Sequence, residues 1–291
     1  MNTLRRYVHE RRVSLLTILV LLMAWQTAGW LSPESALRGS PLVPPFEFIF
    51  GPALLGMSDY WHYEALAPVP SLGGEQTYRG AFLALGYHSA LTLSRLVSGF
   101  ILGAVIGTAL GLIVARSPIA RALFALPLHL LRMIPLLATI PLFQFWFGAT
   151  NMSAIIFVSY GVGVVYFAGT INAVANIPPR YIEYARTLGA SEWRIFRTII
   201  FPAILPELFS SVMLTLGLAW SAVIGAEYIG VNSGIGRMII WAEFFSNTGR
   251  MALVTILLMI YAGVSYFVFR RIAARVLSWM PSSAGDKAAP V

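Results

Sequence analysis

The chain has 291 residues, of which 58% are hydrophobic and 11% charged. An ordinary soluble domain carries about 25% charged residues, so this composition excludes one and points to a polytopic membrane protein. The formal net charge of +8 reflects arginines drawn to membrane surfaces, and no stacking or phosphate-cradling motif accompanies them, so nucleic acid is not an expected partner.

Crossing a bilayer takes about 20 helical residues. Runs of that order, free or nearly free of charge, occur at Val13–Leu31, Leu96–Ala115, Ala122–Phe147, Ala154–Ile177, Leu208–Ala226 and Met251–Phe269. They predict an all-α integral membrane protein with six transmembrane helices. Four arginines precede the first apolar core, as in a signal peptide, yet that core is too long for most signal h-regions and no A-x-A site precedes Ser32. Residues 1–31 are therefore expected to be a cytoplasmic N-terminus followed by an uncleaved anchor.

Residues 32–80 are rich in proline and aromatics and carry Glu34, Glu47, Asp59, Glu64 and Glu75 against Arg38 and Arg79. No piece of this stretch is long enough to span a bilayer. It is expected as an extracytoplasmic packed connector, with an interfacial lid or a docking surface as the alternatives. Ala81–Arg95 reads as an amphipathic lead-in helix at the outer interface and completes the segment 32–95.

The core, residues 96–280, opens with a glycine stripe. Gly99, Gly103, Gly107 and Gly111 recur every four residues and form one smooth face that lets a neighbouring helix approach closely. In the third span Pro127, Pro135 and Pro141 predict kinks or unwinding, a shape tolerated in a membrane only against protein or water. Arg132 in that span either faces a water-filled cavity and attracts an anionic solute, snorkels to the cytoplasmic surface, or pairs with a loop carboxylate. Glu227 ends the fifth span at its outer side, to contact solute, form a gate or pair with Arg237, the structural pair being favoured. Trp220 joins Arg132 and Glu227 as a translocation-pathway candidate. Glu207 follows Pro206 at the expected start of the fifth span, where a carboxylate suits the positive end of a helix. His62, His88 and His129 lack ligand-like spacing, so no metal site is expected, and the absence of cysteine excludes disulfides and thiolate sites.

A polar, arginine-bearing segment, residues 178–206, separates the fourth and fifth spans. Pro178 and Pro179 stop the preceding span, Arg180–Leu188 has helix-forming residues, and Gly189 supplies the permissive backbone for a turn. A second helix, Ser191–Ile200, is expected to follow, with Ser191 as its N-cap and Pro202 and Pro206 breaking it before the next span. Two short helices crossing a membrane face make a natural lever; the bland alternative is an interfacial anchor.

Arginine placement orients the chain. Arg5, Arg6, Arg11, Arg12, Arg116, Arg121, Arg180, Arg186, Arg194, Arg197, Arg270, Arg271, Arg275 and Lys287 fall on one side, whereas Arg38, Arg79, Arg237 and Arg250 fall on the other. Both termini and the polar loop are thus expected in the cytoplasm, with residues 281–291 a flexible tail.

Chemistry inside the membrane is not indicated. Asp59 and Asp286 are the only aspartates and both lie outside the spans, and neither H-E-x-x-H nor G-x-S-x-G occurs, so no catalytic residue is expected. The lone lysine, Lys287, cannot complete a P-loop, so if transport is ATP-driven, hydrolysis belongs to a separate cytoplasmic subunit. A passive channel would have no use for the polar loop.

That loop fits E-A-A-x3-G-x9-I-x-L-P at Glu183, Ala185, Gly189, Ile199 and Pro202, with Tyr184 and Phe201 replacing an alanine and the leucine. It resembles the EAA loop of ATP-binding-cassette (ABC) importer permeases, which docks on the ATPase subunit; the resemblance implies coupling through Glu183, Tyr184, Ala185, Gly189, Ala190 and Ser191. From about Ala81 to Met280 the order of segments is similar to the permeases of the nitrate, sulfonate, taurine and bicarbonate importer family. The matching pieces are LTLSRLVSGF, LLRMIPLLATIPLFQFWFG, ARTLGASEWRIFRTIIFPAILPEL and AEYIGVNSGIGRMI; in the second, Met133 and Leu136 stand where the family shows prolines. The resemblance implies a type I ABC importer-like permease of the bacterial inner membrane, paired with an identical copy. Two cytoplasmic ATP-binding subunits holding ATP and Mg, and an extracytoplasmic substrate-binding protein, are the implied partners. No cofactor is expected on this chain. The expected solute is taurine or another small organosulfonate, ahead of nitrate, bicarbonate or a thiamine-precursor pyrimidine, moved by alternating access.

Overall fold

The computed structural model describes residues 2–33 and 40–280, and every regular element in them is helical. The expected tail, Arg38, Asp286 and Lys287 lie outside the described residues. The helices are α1 (Asn2–Leu31), α2 (Phe46–Phe48), α3 (Tyr78–Arg116), α4 (Pro118–Met133), α5 (Ile140–Phe147), α6 (Asn151–Ala175), α7 (Pro179–Thr187), α8 (Glu192–Ile195), α9 (Phe201–Ile229), α10 (Ile235–Phe244) and α11 (Thr248–Val276). Five stretches are long and apolar enough to cross a bilayer: Arg12–Leu31, Tyr78–Arg116, Asn151–Ala175, Glu192–Tyr228 and Thr248–Val276. A bent pair, Pro118–Met133 with Leu136–Phe147, turned by 97°, meets the same criterion only when its two helices are taken together.

The bend has a local cause. Pro135 has no N–H to donate, and its ring pushes Ile134 out of the helical region to φ −70° and ψ 125°. The other two prolines do not break their helices. Pro127 is carried inside α4, and Pro141 stands in the first turn of α5, where no donor is required.

Two expected boundaries are absent. Ala81–Arg95 is not a separate lead-in helix, because α3 runs unbroken for 39 residues and no proline interrupts it. The helix beginning at Glu192 does not stop before Pro202 and Pro206; it passes through a π-helical turn, Phe196–Ile200, into α9. The wider turn closes with the Phe201 N–H on the Phe196 carbonyl, and Pro202 then needs no donor in the opening turn of α9. Glu207 accordingly lies inside a helix and not at the positive end of one.

The chain divides into two compact units, Met1–Ala90 with Ser233–Leu258, and Leu91–Asn232 with Met259–Val291. In the first, the connector after α1 is a packed cap. Ile49, Ala53, Met57, Trp61, Ala67 and Val69 are buried, and polar bonds tie the segment to α10 and the start of α11. Asp59 pairs with Arg250 at 2.6 Å, the Tyr60 hydroxyl donates to the Met238 carbonyl at 3.3 Å, and Thr248 donates to the Pro41 carbonyl at 2.5 Å. His88 Nδ1 accepts the Gly234 N–H at 2.8 Å, where Gly234 has φ 108°. Gln26 on α1 donates to Glu47 at 2.7 Å, and that bond holds the Glu47 carboxyl below its ordinary range.

In the second unit α6 lies in the middle, against α3, α4, α5 and α9. A β-carbon at Gly99 would lie 2.7 Å from Val158 Cβ, one at Gly103 2.5 Å from the Ser159 carbonyl oxygen, and one at Gly111 2.6 Å from Thr170 Cβ. At Gly107 the obstacle is the Gly163 carbonyl. The stripe therefore brings α3 onto the backbone of α6, with glycine on both sides at one point, and side-chain bulk has nowhere to go.

A polar loop and a charged cavity as the candidate functional site

The loop between α6 and α9 is built by backbone chemistry. Pro178, at φ −60° and ψ 126°, halts the chain and Pro179 opens α7. At the far end the Ala190 N–H returns to the Ala185 carbonyl at 3.0 Å and the Gly189 N–H to the Arg186 carbonyl at 2.9 Å. This double closure needs a left-handed residue, and Gly189 supplies it at φ 74° with nothing near its missing β-carbon. Ser191 then caps α8, its hydroxyl accepting the Arg194 N–H at 3.4 Å. Arg186 and Glu192 clip the two helices together at 3.0 Å on the surface.

Exposure gives the loop its character. Glu183, Gly189 and Ser191 are open to solvent, while Ala185 and Ala190 are half-buried. Tyr184, Leu188 and Trp193 are exposed at 65%, 87% and 68%. Three large side chains thus stand open to solvent on an otherwise polar loop. Of these only Tyr184 had been singled out from the sequence; Leu188 and Trp193 were readable as the apolar exceptions in a polar stretch.

A second cluster was invisible to sequence reading. Arg95 on α3 meets Glu227 on α9 at 2.5 Å, and their side chains are exposed by only 1% and 0%. Thr92 donates to the other Glu227 oxygen at 2.9 Å, and Arg95 Nε and Nη2 donate to Asn151 Oδ1 at 3.0 and 2.6 Å. Glu227 thus pairs with Arg95 and not with Arg237, which lies 4.9 Å from the centre of the Trp241 ring. From the sequence, Arg95 is expected at the edge of a lead-in helix. Because α3 is continuous, the residue is carried into the packed interior, where its charge requires a partner.

The three pathway candidates occupy three places. Glu227 is in that buried cluster, and Trp220 stacks on Tyr261 and donates to Ser265 Oγ at 3.1 Å, joining α9 to α11. Arg132 is exposed and lines a cavity of about 240 Å³ bounded by α4, α6 and α9. Glu207, Asn172, Ser210 and Ser211 supply its other polar groups. A separate apolar cavity of about 300 Å³ has Leu128, Phe143, Tyr160 and Phe167 in its walls.

Apolar helices of membrane-spanning length, a pair bent at proline and a polar loop between two of the spans describe a helical membrane protein with several crossings. Residues 90–278 match the family described as "Binding-protein-dependent transport system inner membrane component", and the chain belongs to that family. It is 30% identical over 198 residues to a protein of Bacillus subtilis named for aliphatic sulfonates transport, the permease SsuC, covering 68% of this chain and 72% of that one. It is 26% identical over 276 residues to the taurine transport system permease protein TauC of Escherichia coli, covering 94% and 92%. Among solved structures it is similar to a chain of the MetNI methionine ABC transporter in an inward-facing conformation. There the identity is 25% and the TM-score 0.54, with 64% of this chain and 93% of that chain covered. The chain is therefore a permease of the type I ABC importer kind, a transporter component.

Proposed function

We propose that this chain, as a pair of identical copies, forms the membrane path of an ATP-driven importer of small sulfonates, with taurine the foremost solute. An external binding protein delivers the solute, and two cytoplasmic subunits carrying ATP and Mg drive the cycle. Both termini and the loop 178–206 face the cytoplasm. The observation that carries this reading is the loop itself: a turn held at Gly189 presents Tyr184, Leu188 and Trp193 to solvent beside Glu183. Such a tip suits a cleft on a partner and has no use in a passive channel. Arginine placement and the names of two relatives support orientation and solute class.

When the ATPase pair closes, a short lever clipped by Arg186 and Glu192 moves with it, and because α8 continues into α9 through the π-turn, that motion passes directly into a span. The test is reconstitution of the permease with its ATPase subunit and binding protein in vesicles. Taurine-loaded binding protein is expected to stimulate hydrolysis and uptake, and reporters at residues 180–197 to read cytoplasmic. An extracytoplasmic signal from Gly189, or hydrolysis indifferent to every loaded sulfonate, overturns the proposal.

A further inference from the structure

The cavity bounded by α4, α6 and α9 carries charges of both signs. Arg132, at the last turn of α4, and Glu207, on α9, line the same space of about 240 Å³, together with Asn172, Ser210 and Ser211. Among the described residues the two do not form an ion pair. Glu207 spends one carboxylate oxygen on the Asn176 side-chain amide, at 3.1 Å, and its other oxygen accepts no hydrogen bond among the described residues. Two unlike charges thus line one cavity without being paired with each other.

Charge inside a membrane bundle is costly and is kept where a path or a ligand needs it. An arginine alone would suit any small anion. A carboxylate in the same small space repels that anion, and this repulsion is a means of choosing between solutes that share an acidic end. The solute that satisfies both groups carries an anionic end for Arg132 and an ammonium end for Glu207. The volume lies below the roughly 300–1,000 Å³ of drug-sized pockets, so a molecule of few heavy atoms fits. Arg132 is exposed and Glu207 half-buried, so each charge keeps part of its hydration and binding stays weak enough for passage.

We propose that this cavity is a permease subsite for a small zwitterion, selected over the simple anion with the same acidic group. The proposal rests on the importer reading above and narrows its solute class. The chain contains no cysteine, so Ser210→Cys, an exposed cavity position, gives one reporter thiol in each copy of the permease. Its rate of maleimide labelling is measured in the permease–ATPase complex without binding protein, in taurine and in ethanesulfonate, which lacks only the ammonium group.

Taurine is expected to slow labelling several-fold more than ethanesulfonate does. Adding Glu207→Gln should erase that difference, and adding Arg132→Gln should abolish protection by both. Equal protection by the two solutes, no protection by either, or a difference that survives Glu207→Gln overturns the subsite. Uptake by vesicles decides the importer reading independently, so the two failures are distinguishable. The comparison in the Ser210→Cys protein stands even where a charge variant does not assemble.

Discussion

Arg95 and Glu227, 132 residues apart in sequence, form an ion pair at 2.5 Å with both side chains closed to solvent. Two desolvated charges are tolerated only when their remaining hydrogen-bonding capacity is met, and Thr92 and Asn151 contribute to this. The cluster joins α3, α6 and α9, the elements that also carry the glycine stripe and the cavity.

Removing one member of this pair is expected to cost about 3–5 kcal/mol, because the other is left charged and buried. Arg95→Leu and Glu227→Leu should each lower the thermal midpoint of the purified protein, and the double variant should lose less than the sum. Strict additivity would mean that the two side chains do not interact in the membrane.

The stripe on α3 predicts a position-specific defect. Gly103→Leu and Gly107→Leu drive side-chain bulk into the carbonyls of Ser159 and Gly163, a strain of about 1–3 kcal/mol or more, and yield of folded protein should fall. Gly86→Leu, on the same helix with nothing within 4 Å of its missing β-carbon, should express normally. Equal yields from all three would place the stripe against lipid.

Coupling is tested at the loop. Gly189→Val forces a β-branched residue into a left-handed conformation at a cost of about 1–3 kcal/mol, and Glu183→Arg reverses an exposed charge. Both variants should insert normally yet lose ATPase co-purification or ligand-stimulated hydrolysis. Wild-type association and stimulation in both would reduce the loop to an anchor.

Tyr60 predicts a pH dependence. Burial raises its hydroxyl above the ordinary value, and this outweighs the opposing Arg250 charge. A raised folded-state pKa means the native cap binds the proton more tightly than the unfolded chain. Its contribution is complete below about pH 10 and is lost as pH rises through the folded value. Limited proteolysis of residues 40–77 should accelerate in that alkaline range, and Tyr60→Phe should flatten the profile at the expense of the 3.3 Å bond to Met238, about 1 kcal/mol.

Arg95 and Glu207 show where sequence reading stopped. The sequence puts each at a helix end, with a lead-in helix closing at Arg95 and a break at Pro206. With both helices continuous, Arg95 is interior and Glu207 faces a cavity. Pro135, by contrast, broke its span as its chemistry requires, and Gly189 took the left-handed turn expected of it.

Spans, the turn at Gly189, the cap at Ser191 and the family pattern follow from the sequence alone, since hydropathy, missing donors and φ preferences act over a few neighbouring residues. The partner of Glu227, the cavity shared by Arg132 and Glu207 and the seat of Trp220 were decided by tertiary structure. Each depends on the rotation of one helix about its axis relative to another. A span that is apolar nearly all round has no polar face to set that rotation, so packing of glycine against backbone, and the need to pair buried charge, settle it.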